Sequence, residues 1–255
     1  MFNYLNPIKA DRIKDAIKII LKDYPENLFV TYSIEHIYHC DAMEFRIYIK
    51  QEDGQPKVVL AFSVSEFYKY ISIEHELVAR LSLFAREHSV EIFDKIIQKL
   101  KKEYIIFVTT NENMPINIRE YYEENFVNIL HFYNPNENHY IDFYASEIPQ
   151  ESFNKSSISV SRKTVDNIVD ILSYYYLFDY KSKRHTNYDL GDAPDDLSIQ
   201  MDLFPNCCGA KCIYIYGKED YAGLAEYIAS YSDAFETGAL MFFVNNKYYK
   251  TVACS

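Results

Sequence analysis

The chain has no tryptophan, and glycine occurs only 6 times in 255 residues. With so few glycines, neither a Walker loop nor a Rossmann fingerprint can be found, and nucleotide binding through either motif is excluded. Long apolar runs are also missing: no stretch approaches the roughly 18 residues a membrane helix needs. The first residues, Met1-Phe2-Asn3-Tyr4, lack the basic-then-apolar order of a secretory leader, so a cytoplasmic protein is expected. Basic residues are in deficit, 26 Lys and Arg against 37 Asp and Glu, a net charge of -11. Such a field repels phosphate backbones and anionic lipid, so neither nucleic acid nor membrane is an expected partner. Cysteine is present as an odd 5, with Cys207, Cys208 and Cys212 close together. No second CxxC or HxxxH pair completes a tetrahedral zinc site, so no metal is expected.

What is abundant is aromatic and apolar. There are 25 Tyr and 17 Phe, and 49% of residues are hydrophobic, enough to bury a sizeable core. Apolar positions Ile13, Ala16, Ile17, Ile20 and Leu21 recur at helical spacing over 10–23, and a weaker helix is read over 33–39. Phe45, Ile47 and Ile49 alternate with polar neighbours over 44–50, and 57–64 follows beyond the turn residues Asp53-Gly54, which predicts a hairpin. A third strand is read over 70–83 and an amphipathic helix over 91–103, where Ile92, Phe93, Ile96, Ile97 and Leu100 share a face. A buried strand over 104–109, a helix over 116–125 and strands over 127–133 and 139–145 complete this set.

Residues 146–163, rich in Ser, Asn, Pro and Gln, read as a linker. Beyond it a helix over 163–178, a polar loop over 184–196, strands over 197–204, 210–216 and 239–244, and a helix over 221–231 alternate as a second, smaller α/β module does. The fold class is therefore α/β (α+β), with a first domain over 1–145 and the module over 164–255.

The element order over 1–145 resembles the GNAT superfamily of CoA-dependent N-acyltransferases, with a mixed central sheet flanked by helices. Ile116-Asn117-Ile118-Arg119-Glu120-Tyr121-Tyr122-Glu123-Glu124-Asn125-Phe126 looks like that family's late helix, which ends in Tyr, three residues, Gly-Phe. Asn125 stands at the glycine position, the next-best residue for a left-handed helix end. A second segment, Leu77 to Glu91, looks like the strand and turn that hold the CoA pyrophosphate on backbone amides at a helix N-terminus. The resemblance implies acetyl-CoA or another acyl-CoA as donor and a small-molecule or protein amine as acceptor. It implies Arg86, Ser89 and Val90 as cofactor-binding residues, Glu74 or Glu76 as the base on the amine, and Tyr121 as the acid. The module over 164–255 is expected to be a separate α/β unit or a second GNAT-like half.

The same residues have plainer readings. Ser89 and Glu91 replace the family's small residues and also make a good helix start. Glu74 and Glu76 also suit a solvated strand, and Tyr121 a place in the core. A catalytically inactive GNAT-fold interaction protein is the alternative function. Asp189, Asp192, Asp195 and Asp196 lack the order of a calcium loop and read as a solvated acidic loop. Cys207-Cys208-Gly209-Ala210 reads as tight small-residue packing, with a reactive thiol as the alternative.

Overall fold

In the computed structural model, residues 7–24, 28–37, 40–50, 54, 56–65, 69–74, 83–112, 114, 116–134, 138–146, 153, 160–174, 178–179, 192–204 and 210–254 are described. They divide into two units. The first takes in 1–131 and 135–147, and the second 132–134, 148–204 and 208–255. The mixed α/β class expected from the sequence is the observed one, with a large mixed sheet and a second, smaller sheet.

The first unit opens with α1 (Pro7–Leu21), which lays Ala10, Ile13, Ile17 and Leu21 into the core at i, i+3 and i+4 spacing. Strands β1 (Leu28–Ile37), β2 (Cys40–Lys50), β3 (Pro56–Ser65) and β4 (Tyr70–Glu74) follow, each antiparallel to the one before. Gly54, at φ +78, supplies the left-handed residue in the turn between β2 and β3. After β4 the pattern changes. Helix α2 (Leu83–Leu100) carries the chain to β5 (Ile105–Asn111), which lies parallel to β4, with Tyr70 opposite Ile105 and Glu74 opposite Thr109. Then come α3 (Ile116–Asn125), β6 (Val127–Asn134) and β7 (His139–Ala145), and β7 returns antiparallel to β5. The sheet order is β1-β2-β3-β4-β5-β7-β6.

One face of that sheet makes the core with the three helices. Phe45 and Phe62 stack at 5.3 Å between centroids, and Met43, Ile47, Val64, Ile73 and Val108 bury around them. Each such side chain contributes about 1.5–3 kcal/mol by leaving water. Tyr122 of α3 is fully enclosed by Phe93, Phe126 and Tyr144.

The second unit starts with α4 (Arg162–Tyr174) and continues through β8 (Phe178–Asp179), β9 (Ser198–Leu203), β10 (Ala210–Tyr216), α5 (Ala222–Ala229), β11 (Ala239–Val244) and β12 (Lys247–Ala253). Its order is β12-β11-β10-β9-β8. Here too one neighbouring pair is parallel, β10 and β11, joined by α5, while β9 and β12 run antiparallel on either side. The pattern β3-β4-α2-β5-β7 of the first sheet therefore recurs as β9-β10-α5-β11-β12.

Four sequence expectations are corrected. Of the helix read over 33–39, residues 33–37 are the second half of β1, and 38–39 lie outside the described residues. Leu28 and Val30 are buried while Phe29 and Thr31 are not, and this period-2 burial beside β2 outweighs a short helical signal. The strand read to Leu83 ends at Glu74, and α2 begins at Leu83 rather than Glu91. The helix read to Phe178 ends at Tyr174. Strand β12 was not expected, because Lys247-Tyr248-Tyr249-Lys250 is polar. Asn245 and Asn246, at φ 48 and 66, form the two-residue left-handed turn that creates its hairpin.

Candidate functional site

The junction that would hold an acyl donor lies where β4 gives way to α2. Residues 75–82 between them, with Glu76, are outside the described residues. Glu74 is the last residue of β4, opposite Thr109. An α-helix leaves its first four N–H groups without an intrahelical partner, and in α2 these belong to Leu83, Phe84, Ala85 and Arg86. No acidic residue occupies this first turn, so nothing in it opposes the partial positive charge of the helix end. Ser89 and Val90 lie well inside α2, where the N–H groups are spent on carbonyls four residues back. They cannot grip a diphosphate through their amides, which corrects the position expected from the sequence. Glu91 moves with them: it is exposed in mid-helix and pairs with Lys95 at 3.2 Å, well away from the amide end.

Helix α3 brings Tyr121 against α2. Its hydroxyl donates to Asp94 Oδ1 at 2.6 Å, and its ring meets Phe93 edge-on at 6.1 Å. Asp94 sits three turns into α2, about 16 Å from the amide end at 1.5 Å per residue. Burial, and then the Asp94 carboxylate, raise the Tyr121 pKa far above its ordinary value. Tyr121 therefore keeps its proton and holds it toward Asp94. Sequence reading missed Asp94; its only signal is the i, i+1 position beside the buried Phe93. Tyr122, next in sequence, is the core residue of the pair.

The corresponding junction in the second unit, between β10 and α5, is closed by its own side chains. Gly217 N–H donates to Asn245 Oδ1 at 3.1 Å, and Lys218 N–H to Asp196 Oδ2 at 2.6 Å. The Tyr221 hydroxyl donates to Asp196 Oδ1 at 3.1 Å, and burial with that contact lifts its pKa to about 12. The amide donated by Lys218 in turn lowers the pKa of Asp196. Ala222 N–H is capped by Asp220 at 3.1 Å. Gly217 is required by packing: a Cβ there would lie 1.9 Å from the Tyr221 ring. Asp196, read from sequence as part of a solvated loop, thus has a defined structural job. So does Asp192, which accepts from Ser161 N–H at 2.9 Å and Thr164 Oγ1 at 2.5 Å at the start of α4.

Cys207, Cys208 and Gly209 lie outside the described residues, as does Asp189. Cys212 is buried. Burial, with Asp233 nearby, pushes the Cys254 thiol up to about 12, which makes it inert. Among the described residues no group of three or more His, Cys, Asp or Glu could hold a metal. Among them, too, no helix is long and apolar enough to cross a membrane.

The parallel β4-α2-β5 crossover in an otherwise antiparallel sheet, followed by α3 and the β6-β7 hairpin, gives the first unit a GNAT-like fold. Solved structures similar to the chain include a GNAT family acetyltransferase from Elizabethkingia anophelis with acetyl-CoA bound. It is 8% identical over 49% of this chain and 100% of that one, with a TM-score of 0.32. Another is the spermidine/spermine N-acetyltransferase SpeG from Vibrio cholerae in complex with manganese ions, 15% identical over 40% of this chain and 64% of that one, TM-score 0.26. An acetyltransferase from Bacillus cereus is 9% identical over 57% of this chain and 96% of that one, TM-score 0.28. No protein-family model and no curated protein matches the chain.

Proposed function

We propose that the chain is a GNAT-like N-acyltransferase, moving an acyl group from acyl-CoA to an amine acceptor carried by a small molecule or a protein. The observation that carries this reading is the acid-free amide end of α2, set between two parallel strands of the first sheet. Bound acyl-CoA supplies an activated thioester. The residues present fit its charged part: the four free amides from Leu83 to Arg86 and the helix dipole favour a diphosphate. Ser89 and Val90 take no part in that grip.

At the acceptor, Glu74 or Glu76 removes a proton from the ammonium group, so that the amine lone pair can attack. Tyr121 holds the proton needed at the leaving group. Its hydrogen bond to Asp94 must be given up before that proton can move, because a tyrosine this basic is a poor donor while the carboxylate holds it. The first unit is assigned the transfer. The second is assigned the role of a second GNAT-like half whose ligand junction is filled by Asp196 and Asn245, so one donor binds per chain.

The test is urea denaturation of the full chain with and without acetyl-CoA. Ligand at 100 times its dissociation constant adds about 2.7 kcal/mol to stability, and calorimetric titration should give one site per chain. Unchanged stability at millimolar acetyl-CoA would remove the donor and leave the interaction-protein reading. A stoichiometry of two would overturn the closed second junction alone.

A further inference from the structure

Two adjacent tyrosines of α3 have opposite duties. Tyr122 is fully buried, met edge-on by Phe93 at 5.4 Å and by Phe126 at 5.1 Å. Helix α3 therefore cannot turn or slide without opening a close-packed core. Tyr121 is half-buried on the flank, where Phe93 meets its ring edge-on at 6.1 Å and Tyr122 at 5.5 Å. Its freedom is that of one side chain on a fixed helix.

One polar contact fixes where that side chain points. The Tyr121 hydroxyl donates to Asp94 Oδ1 at 2.6 Å. A phenol carries a single proton, so while Asp94 takes it no other acceptor can. Alkali does not release it, because burial and the carboxylate keep the hydroxyl protonated far above the usual tyrosine range. Asp94, by contrast, has a second donor. Gln98, one turn further along α2 and exposed, gives Nε2 to the same oxygen at 3.1 Å. Asp94 is itself only half-buried. When the tyrosine leaves, the carboxylate keeps Gln98 and gains water, so no buried charge is stranded.

A contact of this kind suits a side chain with two positions: it is charge-assisted and short, yet one partner is satisfied without it. Given Tyr121 as the acid of the transfer, on which this rests, we propose that Asp94 is a positioning residue that parks Tyr121 away from the reaction, and that binding of the acyl donor draws the hydroxyl off it. The consequence is a weakened affinity. A protein that must first leave a favoured arrangement binds its ligand more weakly in proportion to the fraction that has left it. Removing the Asp94 carboxylate lifts that restraint and tightens donor binding.

Acetyl-CoA is titrated calorimetrically into the full parent chain, Asp94→Ala and Asp94→Asn. In parallel the Cζ resonance of Tyr121 is followed in isotopically labelled protein, assigned by its loss in Tyr121→Phe. A charge-assisted hydrogen bond partly replaced by Gln98 and water corresponds to roughly a three- to tenfold change in Kd. Asp94→Ala should bind acetyl-CoA tighter by that factor, and Asp94→Asn, which keeps a neutral acceptor, should fall between. The donor should also move the parent's Tyr121 signal toward its position in Asp94→Ala. Equal or weaker binding by Asp94→Ala overturns the parking role and leaves the donor reading intact. So does a Tyr121 signal that stays in place in the saturated parent. No binding by parent or variants removes the donor reading, and the parking role with it. Should Asp94→Ala fail to fold, Asp94→Asn decides by the same two measurements.

Discussion

Replacing Lys211 by Met should remove one pH-dependent contribution to stability. Lys211 is the second residue of β10 and is 4% exposed. Its ladder neighbours are Leu203 and Leu240, and Leu240 is opposite Val252 in turn. Burial lowers the amine's pKa, opposed by the Glu236 carboxylate. A lowered lysine pKa means that the folded chain binds fewer protons than the unfolded one. Stability therefore rises with pH from the folded value up to the unfolded value near 10.4. One proton gives a slope of at most about 1.4 kcal/mol per pH unit. Met keeps the length of the chain and carries no charge, so Lys211→Met has its greatest advantage at the lowest pH and loses it as pH rises. The assay is urea denaturation of both proteins at intervals from pH 6 to 10, read as the difference between them. The many tyrosines titrate alike in both and cancel. A difference that is constant with pH, or that grows in favour of Met on going alkaline, would refute a buried, desolvated amine.

Two further outcomes follow from packing. Tyr122→Ala removes a fully buried ring from the Phe93, Phe126 and Tyr144 cluster and should cost about 3–5 kcal/mol; Tyr121→Phe loses only its bond to Asp94 and should cost about 1–2 kcal/mol, so equal losses in urea titrations of the two would contradict their assignment to core and flank. Gly217→Ala forces a Cβ into the Tyr221 ring and should destabilise the second unit by about 1–3 kcal/mol, read as a lower melting temperature; an unchanged one would show that Tyr221 has room to move away.

Much of this architecture is legible from residue order because its signals are local. The face of Ile92, Phe93, Ile96, Ile97 and Leu100 repeats every three to four residues and needs no partner to be recognised. The strand over 105–111 is a compact apolar run, and β10 and β11 likewise. The errors fall where the local pattern is weak or a neighbouring strand decides. Residues 33–37 become strand because β2 lies beside them, and α2 extends back to Leu83 through residues whose own helical pattern is weak.

The candidate site divides in the same way. Read by itself, the residue order determined a mixed α/β class, a net negative charge and the helix containing Tyr121, since periodicity, composition and charge are properties of neighbours along the chain. Tertiary structure decided that Tyr121 faces Asp94, and that Asp196 and Asn245 fill the second junction. Each of these joins residues on different elements. Hydrogen bonding and desolvation act only over a few ångströms of space, and distance along the chain does not encode them.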